Sequence, residues 1–135
     1  MKSILADIRK TDAYQRALSA TRQRSRIGAL RLPSAARLAF AAAFQQDLNC
    51  SILLLTDRDH HALVLWEELS FWTESRRLHC GEPNPLFYER SPWSATVRRE
   101  RIDALTALAS SRLDVASRPA QGPVILIASA RALMT

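Results

Sequence analysis

Ser51-Ile52-Leu53-Leu54-Leu55-Thr56 is the stretch on which the fold turns. Four large aliphatic residues follow one another with no polar alternation, the pattern of a strand covered on both faces, and such strands belong to parallel sheets. Thr56 or Asp57 can cap a helix after it, because a hydroxyl or carboxylate oxygen accepts from the free amides of a first helical turn. Ala62, Leu65, Trp66, Leu69 and Trp72 then recur on one helical face, which places that helix at about 58–74.

The same alternation extends in both directions. Towards the N terminus, 11–24 reads as a helix with Thr11 or Asp12 at its cap and Ala13, Ala17, Leu18 and Ala20 as a weak apolar stripe. Ile27 to Leu32 reads as a short strand, and Pro33 and Ser34 open an alanine-rich helix through about Asp47. Its Ala35, Ala36, Ala39, Ala42 and Ala43 are small enough to let it sit close against a sheet. Towards the C terminus, Arg77 to Cys80 is a short strand, and Gly81 to Pro92, with three prolines, is a structured loop. A helix follows at about 94–111, with Val97, Ile102, Leu105 and Leu108 expected inside. Val124 to Ala128 is a second fully apolar strand, after which Ser129 can cap a new helix. The expected fold is α/β: a three-layer, open, mainly parallel sheet of about four strands with right-handed crossovers.

Composition sets the outer bounds. The 135 residues, 47% hydrophobic and 24% charged with three glycines, suit one domain and exclude disorder or low complexity. No apolar run approaches the ~20 residues of a membrane span, and Asp7, Arg9 and Lys10 fall where a leader peptide needs an apolar core. Cys50 and Cys80 lack metal or redox spacing, so a cytoplasmic protein with no membrane partner is expected. Thr135 follows the last strand by little more than a helical turn, which reads as a piece of a longer chain. Its expected division is a basic N-terminal helix region, 1–26, and an α/β module, 27–135.

Charge is uneven. Residues 1–37 hold nine Lys/Arg against Asp7 and Asp12, a net +7, while the formal total is +6. Such an end fits an acidic partner, DNA included, or the solvated face of an ordinary helix with only Tyr14 as an interleaved aromatic. Arg98, Arg99 and Arg101 could join it as a weak phosphate-contacting face, or could be a solvated helix surface.

In an α/β fold the first strand-to-helix loop is the default phosphate site. Here that loop is Gly28 to Ala35, and against the pattern G-x-x-x-x-G-K-[ST] it places Pro33, Ser34 and Ala35 at the second glycine, the lysine and the magnesium-binding hydroxyl. Pro33 has no N–H to offer, nothing replaces the lysine, and Arg31 and Arg37 are the nearby cations. The loop is therefore not expected to hold ATP in the usual manner, and no cofactor is expected. Asp57, Asp59, His60 and His61 could be drawn as a metal site, but adjacent histidines diverge on a helix and Asp57 suits a cap, so none is expected. Ser34 lacks the G-x-S-x-G elbow of a hydrolase, and no catalytic residue is assigned.

The order of segments carries a resemblance. Asp12-Ala13-Tyr14-Gln15-Arg16-Ala17-Leu18 is similar to a Y-Q-R-L-L opening helix, and Leu30 to Arg37 occupies the place of a degenerate G-S-A-R loop. Ile52 to Leu69 is similar to the strand, acidic turn and helix that follow. Leu86-Phe87-Tyr88-Glu89-Arg90-Ser91-Pro92 with Arg99, Arg101, Ile102, Asp103, Ala104 and Leu105 is similar to an L-P-Y-E-R-L-S-P loop and R-x-x-x-L helix, with Phe87 where proline is usual. Val124 to Met134 matches a closing strand and V-x-A-L-M segment. Together these resemble the N-terminal module of the bacterial transcription-repair coupling factors, the Mfd family, itself similar to the first domain of the excision-repair helicase UvrB. The resemblance implies a non-catalytic module of a DNA repair motor with a partial P-loop NTPase fold and a decayed nucleotide loop. It would scaffold the adjoining UvrA-binding domain and pack against the rest of the parent factor, an ATP-dependent DNA translocase. UvrA and RNA polymerase would be met by downstream domains, and ATP and magnesium used by the motor. A small nucleotide-binding or ATPase domain, or a basic DNA-binding module, is the alternative.

Overall fold

The computed structural model describes residues 2–83, 93–112 and 122–135. The chain is an α/β fold with an open three-stranded parallel sheet and six helices among those residues. It divides into two compact units, one of Met1–Cys50 with Glu68–Glu74, the other of Ser51–Glu67 with Ser75–Thr135.

The first unit is built from helices α1 (Lys2–Arg9), α2 (Asp12–Arg22) and α3 (Ser34–Leu48). The expected cap forms at Thr11, whose hydroxyl accepts from the Tyr14 amide. Leu5, Tyr14, Leu18, Ala39 and Ala43 are buried together, with Ile8, Phe40, Phe44, Leu48 and Trp72 packed around them. The Tyr14 ring meets Phe40 and Phe44 edge-on, at centroid distances of 5.1 and 5.8 Å. One expectation is corrected here. Residues 25–33 belong to no helix or strand, so Ile27 to Leu32 supplies no fourth strand: Gly28 and Arg31 interrupt the run, and Ile27 and Leu30 are exposed. Ala39 and Ala43 of α3 pack with Leu5, Tyr14 and Leu18 of the two preceding helices.

The second unit runs β1 (Ile52–Thr56), α4 (Asp59–Glu68), β2 (Arg77–Cys80), α5 (Ala95–Arg112), β3 (Ile125–Ser129) and α6 (Ala130–Met134). The strand order is β1-β3-β2, with Ile125 opposite both Ile52 and Arg77. Alternation along β2 turns Leu78 and Cys80 to one face, where they cluster with Leu126, Ala128 and the α5 residues Ala104 and Ala107. Arg77 and His79 point the other way and meet Trp66 and Asp59 of α4. The opposite placement follows from the order: the chain crosses the sheet from β1 to β2 and returns to β3, so crossovers of one hand lay their helices on opposite faces.

β3 is buried throughout, as an all-apolar central strand should be. β1 is not, because it lies at the edge: Leu53 and Leu55 are 47% and 57% exposed, which corrects the expectation of cover on both faces. The inner face of α5 also differs from expectation. Ala104 and Ala107 are buried while Ile102 and Leu105 are 63% and 64% exposed, since a helix lying close on a sheet accepts alanine where larger side chains would hold it off. The helix expected to reach residue 74 ends at Glu68, followed by a 3₁₀ turn over Leu69–Phe71; Trp72 joins the core of the first unit. Ser129 caps α6, its hydroxyl accepting from the Ala132 amide. No described helix is long and apolar enough to cross a membrane.

Candidate functional site

The stretch from Gly28 to Ala35 approaches the first turn of α3 from an exposed, irregular segment, not from a strand. A Cβ on Gly28 would meet nothing within 4 Å, so the glycine answers to no close approach. Pro33 stands at the helix cap without a side-chain hydrogen bond, and Ser34 and Ala35 are exposed in the first turn. Arg31 is exposed, and Arg37 Nε donates to the Leu32 carbonyl at 3.4 Å. The first strand-to-helix turn of the sheet lies instead after β1. There Thr56 Oγ1 donates to the Arg58 carbonyl at 2.8 Å, and His61 Nδ1 lies 2.6 Å from Asp57 Oδ1, a hydrogen bond that holds the Asp57 carboxyl below its ordinary range. A carboxylate at this turn repels phosphate.

At the carboxyl end of β2, His79 sits between two carboxylates. Its Nε2 is 2.9 Å from Asp59 Oδ1 on α4, its Nδ1 is 3.1 Å from Glu100 Oε2 on α5, and its side chain is 8% exposed. Gly81 makes room for this: a Cβ there would stand 2.8 Å from Glu100 Oε2. Cys80 is buried on the opposite face of the strand, and burial pushes its thiol up. No group of three or more His, Cys, Asp or Glu among the described residues is arranged to hold a metal ion.

The arginines of α5 divide by direction. Arg98 and Arg99 are exposed. Arg101 turns inward, where Nη1 donates to the Ala132 carbonyl at 2.6 Å and the guanidinium lies 4.6 Å from the centre of the Trp93 ring. It fastens the middle of α6 to α5. On the other sheet face Arg77 stacks on Trp66 and donates to its carbonyl at 2.8 Å, while Trp66 Nε1 donates to the Arg77 carbonyl at 3.3 Å.

In the first unit Arg9 Nε reaches both oxygens of Asp47 at 3.0 Å, and the Tyr14 hydroxyl donates to Oδ2 at 2.6 Å. Burial works to raise the Asp47 carboxyl, but the hydrogen bonds from Arg9 and Tyr14 outweigh it and the net displacement is downward. Burial, then the bond to Asp47, pushes the Tyr14 phenol well above its usual value. Leu86, Tyr88, Glu89, Arg90, Ser91 and Pro92 lie outside the described residues. The chain matches no family model, no curated protein and no solved structure.

Proposed function

We propose that the chain is a non-catalytic interaction module, the UvrB-like N-terminal part of a transcription-repair coupling factor, which scaffolds a UvrA-binding domain and packs against the parent motor. The ordered likeness of its segments to that family, from Tyr14-Gln15-Arg16 to the closing strand at Val124, supports the reading. The observation that carries it is the geometry at residues 28–35. An exposed segment that is not a strand, with proline at the helix cap and no lysine, offers little of what a triphosphate needs. The acidic turn after β1 weighs in the same direction, because Asp57 and Asp59 stand where a phosphate would approach the sheet.

Two titrations of the folded chain test this. Mg-ATP added to a few millimolar, around the upper range of typical substrate KM values, should give no saturable heat. A purified coupling factor lacking its own N-terminal module should bind the chain in trans. Saturable nucleotide binding, or no binding in trans by a folded chain, overturns the proposal.

A further inference from the structure

We infer that the arginine tract from Arg22 to Arg31 is a contact surface for the phosphate backbone of duplex DNA, engaged without regard to base sequence. Between Asp12 and Asp47 the chain carries Arg16, Arg22, Arg24, Arg26, Arg31 and Arg37, and neither an acidic residue nor a lysine. α2 ends at Arg22, the backbone turns at Arg24 with φ 57°, and residues 22–31 are exposed. The side chains of Arg24, Arg26 and Arg31 have no hydrogen-bond or ion-pair partner among the described residues, unlike Arg9, Arg77 and Arg101, which are committed within the fold.

The chemistry selects the partner. A guanidinium presents a planar fork of donors that pairs two-pronged with phosphate oxygens, so a tract built only from arginine is matched to phosphates more closely than one of lysines would be. From Arg24 to Arg31 an extended chain spans at most about 25 Å, which is about seven phosphates of one DNA strand at 3.4 Å each. A membrane surface would ask for an amphipathic helix with a broad apolar face, whereas residues 25–33 are not helical and offer little beyond Ile27 and Leu30. A protein partner would ask for a clustered aromatic or aliphatic anchor, which this segment lacks. The surface lies wholly within the first unit and does not rest on the module reading above.

The test is anisotropy of a fluorescein-labelled duplex of about 20 base pairs, titrated with the full chain between about 50 and 200 mM KCl, for the native sequence and for the triple variant R24Q/R26Q/R31Q. The native chain should bind with an affinity that falls linearly in log–log form with salt. The variant should bind at least tenfold more weakly at the low-salt end, with a slope shallower by about 0.9 for each phosphate contact removed. Its far-UV dichroism and melting temperature should match the native chain's, because these side chains are exposed. Absent binding, or a variant with native affinity and slope, overturns the inference. So does equal affinity for phosphatidylserine vesicles or polyglutamate, which would assign the tract to a membrane or an acidic protein.

Discussion

Asp47 concentrates more of the first unit's polar chemistry than any apolar residue around it. One carboxylate receives the guanidinium of Arg9 from α1 and the hydroxyl of Tyr14 from α2, while itself standing on α3. Removing its charge leaves Arg9 without a counter-ion and the buried phenol with a weaker acceptor. Asp47→Asn should therefore lower stability at neutral pH by about 2 kcal/mol, within the range for hydrogen bonds to charged groups. Because its carboxyl is held low in the folded chain, the contribution is present above the unfolded value of ~3.9 and is lost as pH falls through the lower folded value. Urea midpoints from pH 7 downward check the sign: the native and variant chains should differ at pH 7 and converge as the Asp47 carboxyl takes up its proton. A difference independent of pH would mean that shape, not charge, is what Asp47 supplies.

Among the elements, β2 is held at its carboxyl end by His79, which connects α4 and α5 through Asp59 and Glu100. Taking away the ring leaves two part-buried carboxylates facing an empty space, so His79→Ala should cost about 2–3 kcal/mol by thermal unfolding. Adding Asp59→Asn and Glu100→Gln to that variant should recover part of the loss; if the triple variant is no more stable than the single one, carboxylate repulsion is not the cause. None of this was legible beforehand, because the partners stand 20 and 21 residues from His79 and no local pattern joins them. The parallel sheet was legible, since uninterrupted aliphatic runs such as Ile52 to Leu55 and Val124 to Ala128 have few other uses. The face of α5 was legible only in part: Leu108 packs on the core as expected, but periodicity weighs large side chains, and close helix-to-sheet packing selected Ala104 and Ala107 over Ile102 and Leu105. α1 leaves little periodic signal for a related reason, as its eight residues turn only Leu5 and Ile8 into the core. Of the candidate site, the missing N–H at Pro33 and the missing lysine beside it could be read from residue types alone, whereas the irregular backbone of residues 25–33 could not.

At the scale of the whole molecule, the half-exposed Leu53 and Leu55 on the edge strand are the feature with consequences in solution. Leu53 and Leu55 continue the face formed by Leu126 and Ala128 beyond the reach of the α5 alanines, on a strand whose outer edge has no neighbour among the described residues. Exposed edge strands with apolar side chains invite association. L53T/L55T should leave the melting temperature close to native, each change costing no more than about 0.5 kcal/mol. It should also lower the concentration dependence of light scattering; unchanged scattering would show that this face does not drive self-association. The strand order bears on assembly as well. β3 stands between β1 and β2, so neither of the earlier strands has a partner until a segment some seventy residues beyond β1 is at hand, as the 73-residue separation of Ser51 and Val124 measures. During synthesis the three N-terminal helices can consolidate on nearby contacts, while Ile52 to Thr56 and Arg77 to Cys80 wait as unpaired nascent strands for the residues that zip them together. Both ladders thus wait on the last strand to leave the ribosome, and a lesion in β3 bears on the two of them at once.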